Sequence, residues 1–123
     1  MRLAIANTIK FPVSVMVPDE EGGREVRFQL SGKRHSATEW DDALDSLRKL
    51  GGTGDNAFLQ DNISGWSGQD LVVDDSGTPV PYGREAMAML LSIPGMSVAV
   101  FSCYQRAQHA SLTEVGRQKN FAG

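Results

Sequence analysis

The chain has 123 residues, 41% of them hydrophobic and 22% charged, the size and composition of one globular domain that can bury a core. Its net charge of −3 argues against non-specific binding to nucleic-acid backbones, and its longest apolar run, Ala86 to Leu91, falls far short of the roughly 20 residues of a spanning helix. A lone cysteine, Cys103, excludes an internal disulfide, and the N-terminal stretch lacks the apolar core and cleavage site of an export signal, so a cytoplasmic chain is expected.

From Thr8 to Val17 the residues Ile9, Phe11, Val13 and Val15 alternate with polar ones, the period of a strand with one buried face, and Pro12 marks an edge strand. A turn at Pro18 to Gly23 returns the chain into a second alternation, with Val26, Phe28 and Leu30 on one face. Residues 8–30 therefore read as a β-hairpin.

Ser36-Ala37-Thr38-Glu39 has the spacing of a capping box and predicts a helix from about residue 37. Trp40, Ala43, Leu44, Leu47 and Leu50 recur at three- and four-residue steps as its apolar stripe, and Gly51, Gly52 and Gly54 stop it. A short helix over about 56–62 points Phe58, Leu59 and Ile63 inward. The Gly65-Trp66 step opens a strand, and Leu71 to Val73, the turn Asp74-Asp75-Ser76-Gly77 and the return through Tyr82 form a second hairpin. Gly83 caps a helix over 84–92 with Met87, Leu90 and Leu91 inward, and the helix ends before Pro94. A last helix over about 96–110 buries Val98, Phe101, Cys103 and Tyr104 and leaves Gln105, Arg106 and Gln108 in water. The expected fold is α+β: two hairpins packed with three to four short α-helices in a single domain, 1–123, with residues 113–123 as a loose tail.

Catalytic chemistry is hard to place on this frame. The Gly51 to Asp55 loop follows a helix rather than a strand and lacks a phosphate loop's Gly-Lys-Ser/Thr ending. Ser67 sits at the wrong glycine spacing for a nucleophile elbow, and Asp74-Asp75 before Ser-Gly reads as a turn, not a cation site. His35, His109 and Cys103 match no zinc spacing. Six residues of helix separate the side chains of Cys103 and His109 by about 120° in azimuth and ~9 Å in rise, which disfavours a nucleophilic pair and leaves Cys103 as a core filler. Lys33-Arg34-His35 and the group Arg106, Arg117 and Lys119 read as solvated charge, and Trp66 and Tyr82 as aromatics pinning the second hairpin to its helix. No enzyme, metal or cofactor is expected.

The order of these parts resembles the tail assembly chaperones of long-tailed phages over most of the chain. The resemblance is carried by the N-terminal hairpin leading to Phe28-Gln29-Leu30 and Lys33-Arg34, by Ile63-Ser64-Gly65-Trp66, and by Asp74-Asp75-Ser76-Gly77-Thr78-Pro79-Val80-Pro81-Tyr82. It continues through Glu85, Leu90-Leu91, Ile93-Pro94, Tyr104 and Gly116-Arg117-Gln118-Lys119-Asn120. Gly83 departs from it, standing where Ser or Thr is more usual as the helix cap. The resemblance implies a protein that binds the phage tape-measure protein and helps recruit tail-tube subunits in the bacterial cytoplasm, through protein contacts as a homo-oligomer, without ATP, nucleic acid or membrane. On that expectation the partner-binding residues are Arg117, Lys119, Asn120 and Phe121 of the tail. A structural neck or tail-completion protein of the phage is the alternative. Many such chaperones are extended by a ribosomal frameshift, and Gln118-Lys119-Asn120 can be encoded CAA-AAA-AAC, which contains a slippery A-AAA-AAC; the gene's codons decide whether that site exists.

Overall fold

A computed structural model describes residues 1, 3–51 and 55–110 of the chain. Its elements run β1 (Thr8–Val17), β2 (Arg24–Lys33), α1 (Ala37–Lys49), α2 (Asp55–Asn62), β3 (Ile63–Ser67), α3 (Arg84–Leu91) and α4 (Met96–Ala110). This is a small α+β domain with a three-stranded antiparallel sheet in the order β1-β2-β3 and four short helices.

The N-terminal hairpin forms as its alternation requires. Phe11 pairs with Leu30, Val13 with Phe28 and Val15 with Val26, so the apolar residues of both strands share one face. Phe11, Val13, Val26, Phe28 and Leu30 are buried there, while Lys10, Ser14, Glu25 and Arg27 lie on the open face. Pro12 does sit on an edge strand, because β1 pairs only with β2. The turn is closed by Asp19, whose Oδ1 accepts from Glu21 N at 2.8 Å, and by Gly22 at φ +114°, a value that L side chains rarely adopt.

The capping box starts α1 where the sequence places it: Ser36 Oγ accepts from Glu39 N, and Glu39 Oε1 accepts from Ser36 N. Hydrogen bonding of its carboxyl by the Ser36 amide, and by the Ser36 hydroxyl, also holds the Glu39 pKa below its usual value. Trp40 and Leu47 are buried, but Leu50 is not part of the apolar stripe; it is the C-cap and is exposed. Helix α3 begins at Gly83 without a side-chain cap bond, as a glycine there requires. It turns into α4 through Ile93-Pro94-Gly95, and the two helices meet at 108°.

Three further expectations change. The second hairpin is reduced to the single bridge Val73↔Pro79 around the Asp74 turn, because Pro79 and Pro81 supply no N–H and the return limb cannot build a ladder. The strand at Gly65-Trp66 begins earlier, at Ile63, and becomes the third strand of the main sheet: Trp66 pairs with Leu30 and Ser67 with Gln29. In α4 the buried stripe is Met96, Val100 and Tyr104 at i, i+4, i+8, and Val98, about 200° round from Met96, is 65% exposed. Phe101 and Cys103 are half-buried beside that stripe.

Helix α4 crosses the core face under β1 and ends its stripe on Tyr104. Gly32 makes room for that ring: a Cβ there would meet Tyr104 Cε1 at 3.0 Å and Ile63 Cδ1 at 3.1 Å. No single helix among the described residues is long and apolar enough to cross a membrane. The apolar residues of the α3–α4 pair are largely occupied by the core, through Met87, Leu90, Leu91, Met96, Val100 and Tyr104.

Candidate functional site

Polar groups singled out in the sequence as chemical candidates are bound into the fold. Asp74 Oδ1 accepts from Ser76 N and Thr78 N, both at 2.9 Å, and Gly77 follows at φ +82°, so this aspartate builds a turn. Among the described residues no group of three His, Cys, Asp or Glu side chains is placed to hold a metal ion. Of the basic cluster, Lys33 lies 3.8 Å from Glu39, Arg34 Nε donates to Ala6 O at 2.6 Å, and His35 is half-buried.

His35 enters an aromatic cluster and is not solvated charge. Its ring lies 5.6 Å from Trp40, 6.1 Å from Phe58 and 6.2 Å from Tyr104, while Tyr104 stacks on Phe11 at 5.3 Å. Asn62 commits Nδ2 to Phe58 O, which turns Oδ1 toward His35 at 2.9 Å, so Nε2 carries the ring proton. Burial pushes the His35 pKa below its ordinary value, against the smaller opposing effect of the Asn62 bond. The folded state then binds a proton at His35 less readily than the unfolded chain. Stability is fully present above the unfolded histidine value near 6.5 and falls as pH drops through it toward the lower folded value. Urea unfolding between about pH 7.5 and 5 should show this loss, and His35→Gln should flatten it; an unchanged slope in the variant would assign the effect elsewhere.

Trp66 and Tyr82 hold the 71–82 loop against β3 and not against a helix. Their rings meet edge to face at 5.2 Å, Trp66 Nε1 donates to Val80 O at 3.2 Å, and the Tyr82 hydroxyl donates to Ile63 O at 2.7 Å. Burial raises the Tyr82 pKa, so the hydroxyl stays a donor at neutral pH.

Two side chains escaped the sequence reading. Gln69, 3% exposed, accepts from Leu71 N and Val72 N and donates to Val72 O and Val80 O, which organises the start of the loop from within. Gln108, read as solvated, accepts from His35 N at 3.1 Å and donates to Lys33 O at 2.9 Å, tying α4 to the end of β2. A polar residue three positions before a buried valine, and another one turn beyond a buried tyrosine, were the only sequence signals of either role.

Two grooves lie on the surface of the described residues. The larger, about 510 Å³, runs between the edge of β1 and α4 and is lined by Phe11, Pro12, Ser14, Cys103, Arg106 and Ala107. Cys103 is partly buried against the core and also borders this groove, with Arg106 Nη2 at 3.3 Å from its sulfur. The smaller, about 270 Å³, lies where Val15 to Pro18 faces Ile93 to Met96. Met16, Met89 and Val98 add exposed apolar surface. Arg117, Lys119, Asn120 and Phe121, the residues expected to bind a partner, lie outside the described residues, as does the whole 113–123 segment.

No protein-family model, curated protein or solved structure matches the chain.

Proposed function

We propose that this chain is a tail assembly chaperone of a long-tailed phage, acting in the bacterial cytoplasm as a homo-oligomer. It binds the tape-measure protein and assists recruitment of tail-tube subunits through protein contacts, without catalysis. The observation that supports this reading is where the residues of the resemblance fall. Ile63, Trp66 and Tyr82 close the loop on the sheet, Asp74 to Gly77 forms its turn, and Tyr104 anchors α4. The residues that carry the resemblance are therefore joints of this fold, which supports reading the resemblance as one of architecture. A frame whose polar groups serve the backbone, with apolar grooves outside it, also suits a binding protein better than an enzyme.

The test is co-expression with the tape-measure protein from the same phage genome. The chain is expected to co-purify with that client without added nucleotide and to be missing from purified virions. Failure to retain the client, with the chain recovered in virions, would instead make it a neck or tail-completion component.

A further inference from the structure

The two edges of the sheet are treated differently. At β3 the loop that ends in Tyr82 lies alongside, and the Tyr82 hydroxyl occupies Ile63 O. At β1 the direction of the backbone groups follows from the hydrogen bond of Asn7, whose carbonyl accepts from Arg34 N at 2.7 Å in step with the Thr8↔Lys33 register. Alternate residues of an antiparallel strand bond to opposite sides, so Ile9, Phe11, Val13 and Val15 bond to β2, while Lys10, Pro12, Ser14 and Met16 turn their main-chain groups outward. Pro12 agrees with that phase: its missing N–H costs the β1–β2 ladder nothing.

Beside this outward row lies the 510 Å³ groove, with Phe11, Cys103 and Ala107 as apolar lining and Arg106 on its rim. Arg106 is exposed and its bond is to the Cys103 sulfur, not to a carboxylate, and Lys10 on the strand has no ion pair among the described residues. The nearest acid on the open face, Glu25, is taken up by Arg27 at 2.8 Å and by Ser14, which hold its pKa below the usual carboxylate range. The edge is therefore locally positive on a chain of net charge −3.

We infer that the β1 edge is a docking site for an extended acidic and apolar segment of a partner protein, which adds as a fourth strand. Its main chain pairs with the outward groups of Lys10, Ser14 and Met16, an apolar side chain enters the groove beside Phe11 and Ala107, and a carboxylate meets Arg106. Pro12 breaks the row of donors in the middle. This disfavours indiscriminate edge pairing and leaves affinity to the side-chain contacts. A second copy of this chain fits less well: β1 against β1 would bring two proline gaps and two sets of unpaired cations together. The inference deepens the proposed function by giving a client-type segment a place to bind, and rests on that reading only for the client's identity.

The probe is a synthetic peptide of alternating valine and glutamate with the ten-residue length of β1, compared with its valine and lysine counterpart. The glutamate peptide should bind at least tenfold more tightly and should slow amide exchange at Lys10, Ser14 and Met16. Ser14→Pro removes an outward N–H that the fold does not use, and Arg106→Glu reverses the rim charge; each should weaken binding about tenfold or more with the thermal transition retained. Equal binding of the two peptides, or edge amides left unprotected at saturation, overturns the proposal. Protection that grows with protein concentration alone also overturns it, in favour of a second copy. Each of these failures leaves the co-purification test of the chaperone reading standing.

Discussion

Tyr104→Ala is expected to lower the unfolding free energy by about 3–5 kcal/mol, the range for deleting a fully buried aromatic ring. Tyr104 is 0% exposed and is the largest of the fully buried side chains. Its ring stacks on Phe11, meets Trp40 edge to face at 5.5 Å and covers the bare backbone of Gly32, so the sheet, α1 and α4 all lose a partner together. No neighbour fills the space easily, because Gly32 has no side chain to move into it. Small domains are stable by only about 5–15 kcal/mol, so this loss takes a large share of the total. Tyr104→Phe separates ring from hydroxyl. The hydroxyl donates to Lys33 O, but Gln108 Nε2 donates to the same carbonyl at 2.9 Å, so that acceptor stays satisfied and the cost should be only about 0.5–1.5 kcal/mol. Urea unfolding of the two variants checks the division. A loss below about 1 kcal/mol for Tyr104→Ala would mean that the cluster repacks around the hole.

That ring also marks the limit of what the sequence discloses. Strands β1 and β2 were legible because one face is buried and one is wet, which writes a period of two into Ile9 to Val15 and Val26 to Leu30. Helix α1 was legible from its capping box, and α3 from Gly83, its apolar stripe and Pro94. Strand β3 was legible only as a strand opening at Gly65-Trp66; its start at Ile63 and its sheet partner were not, because five residues containing Gly65 and two serines carry no alternation, and its place beside β2 comes from Trp66 meeting Leu30 across the sheet. In α4 the apolar residues Met96, Val98, Val100 and Phe101 crowd round the helix, so periodicity alone could not say which side the core would take. The Tyr104 contact with Gly32 and Phe11 selects it, a tertiary fact written about 70 and 90 residues away in sequence. The β1–α4 groove was hidden for the same reason: Pro12 and Ser14 read as an edge, Cys103 and Arg106 as helix, and only the crossing of α4 under β1 puts them side by side.

Gln69→Leu should cost about 2–4 kcal/mol although leucine is comparable to glutamine in volume and is more apolar. The amides of Leu71 and Val72 end on Gln69 Oε1 at 3.0 and 2.8 Å, and a buried amide left without an acceptor costs about 1–3 kcal/mol. The carbonyls are better protected: Val80 O keeps the Trp66 indole, and Val72 O keeps Val80 N at 3.1 Å. Damage should therefore appear first as faster amide exchange at Leu71 and Val72, with the β1–β2 ladder exchanging as before relative to global unfolding. Gln69→Glu distinguishes lost hydrogen bonds from lost packing. A carboxyl keeps the acceptor for both amides, but when ionised it turns a negative oxygen toward the carbonyls of Val72 and Val80, and burial raises its pKa above the unfolded value of about 4.3. A raised folded pKa places the stability below the unfolded value and removes it as pH rises through the folded one. Relative to the unchanged chain, Gln69→Glu should thus be least impaired near pH 4 and worst at neutral pH, while Gln69→Leu should show no such difference. If Gln69→Leu were as stable as the unchanged chain, with slow exchange at both amides, the loop would be held by the Trp66 and Tyr82 bonds alone.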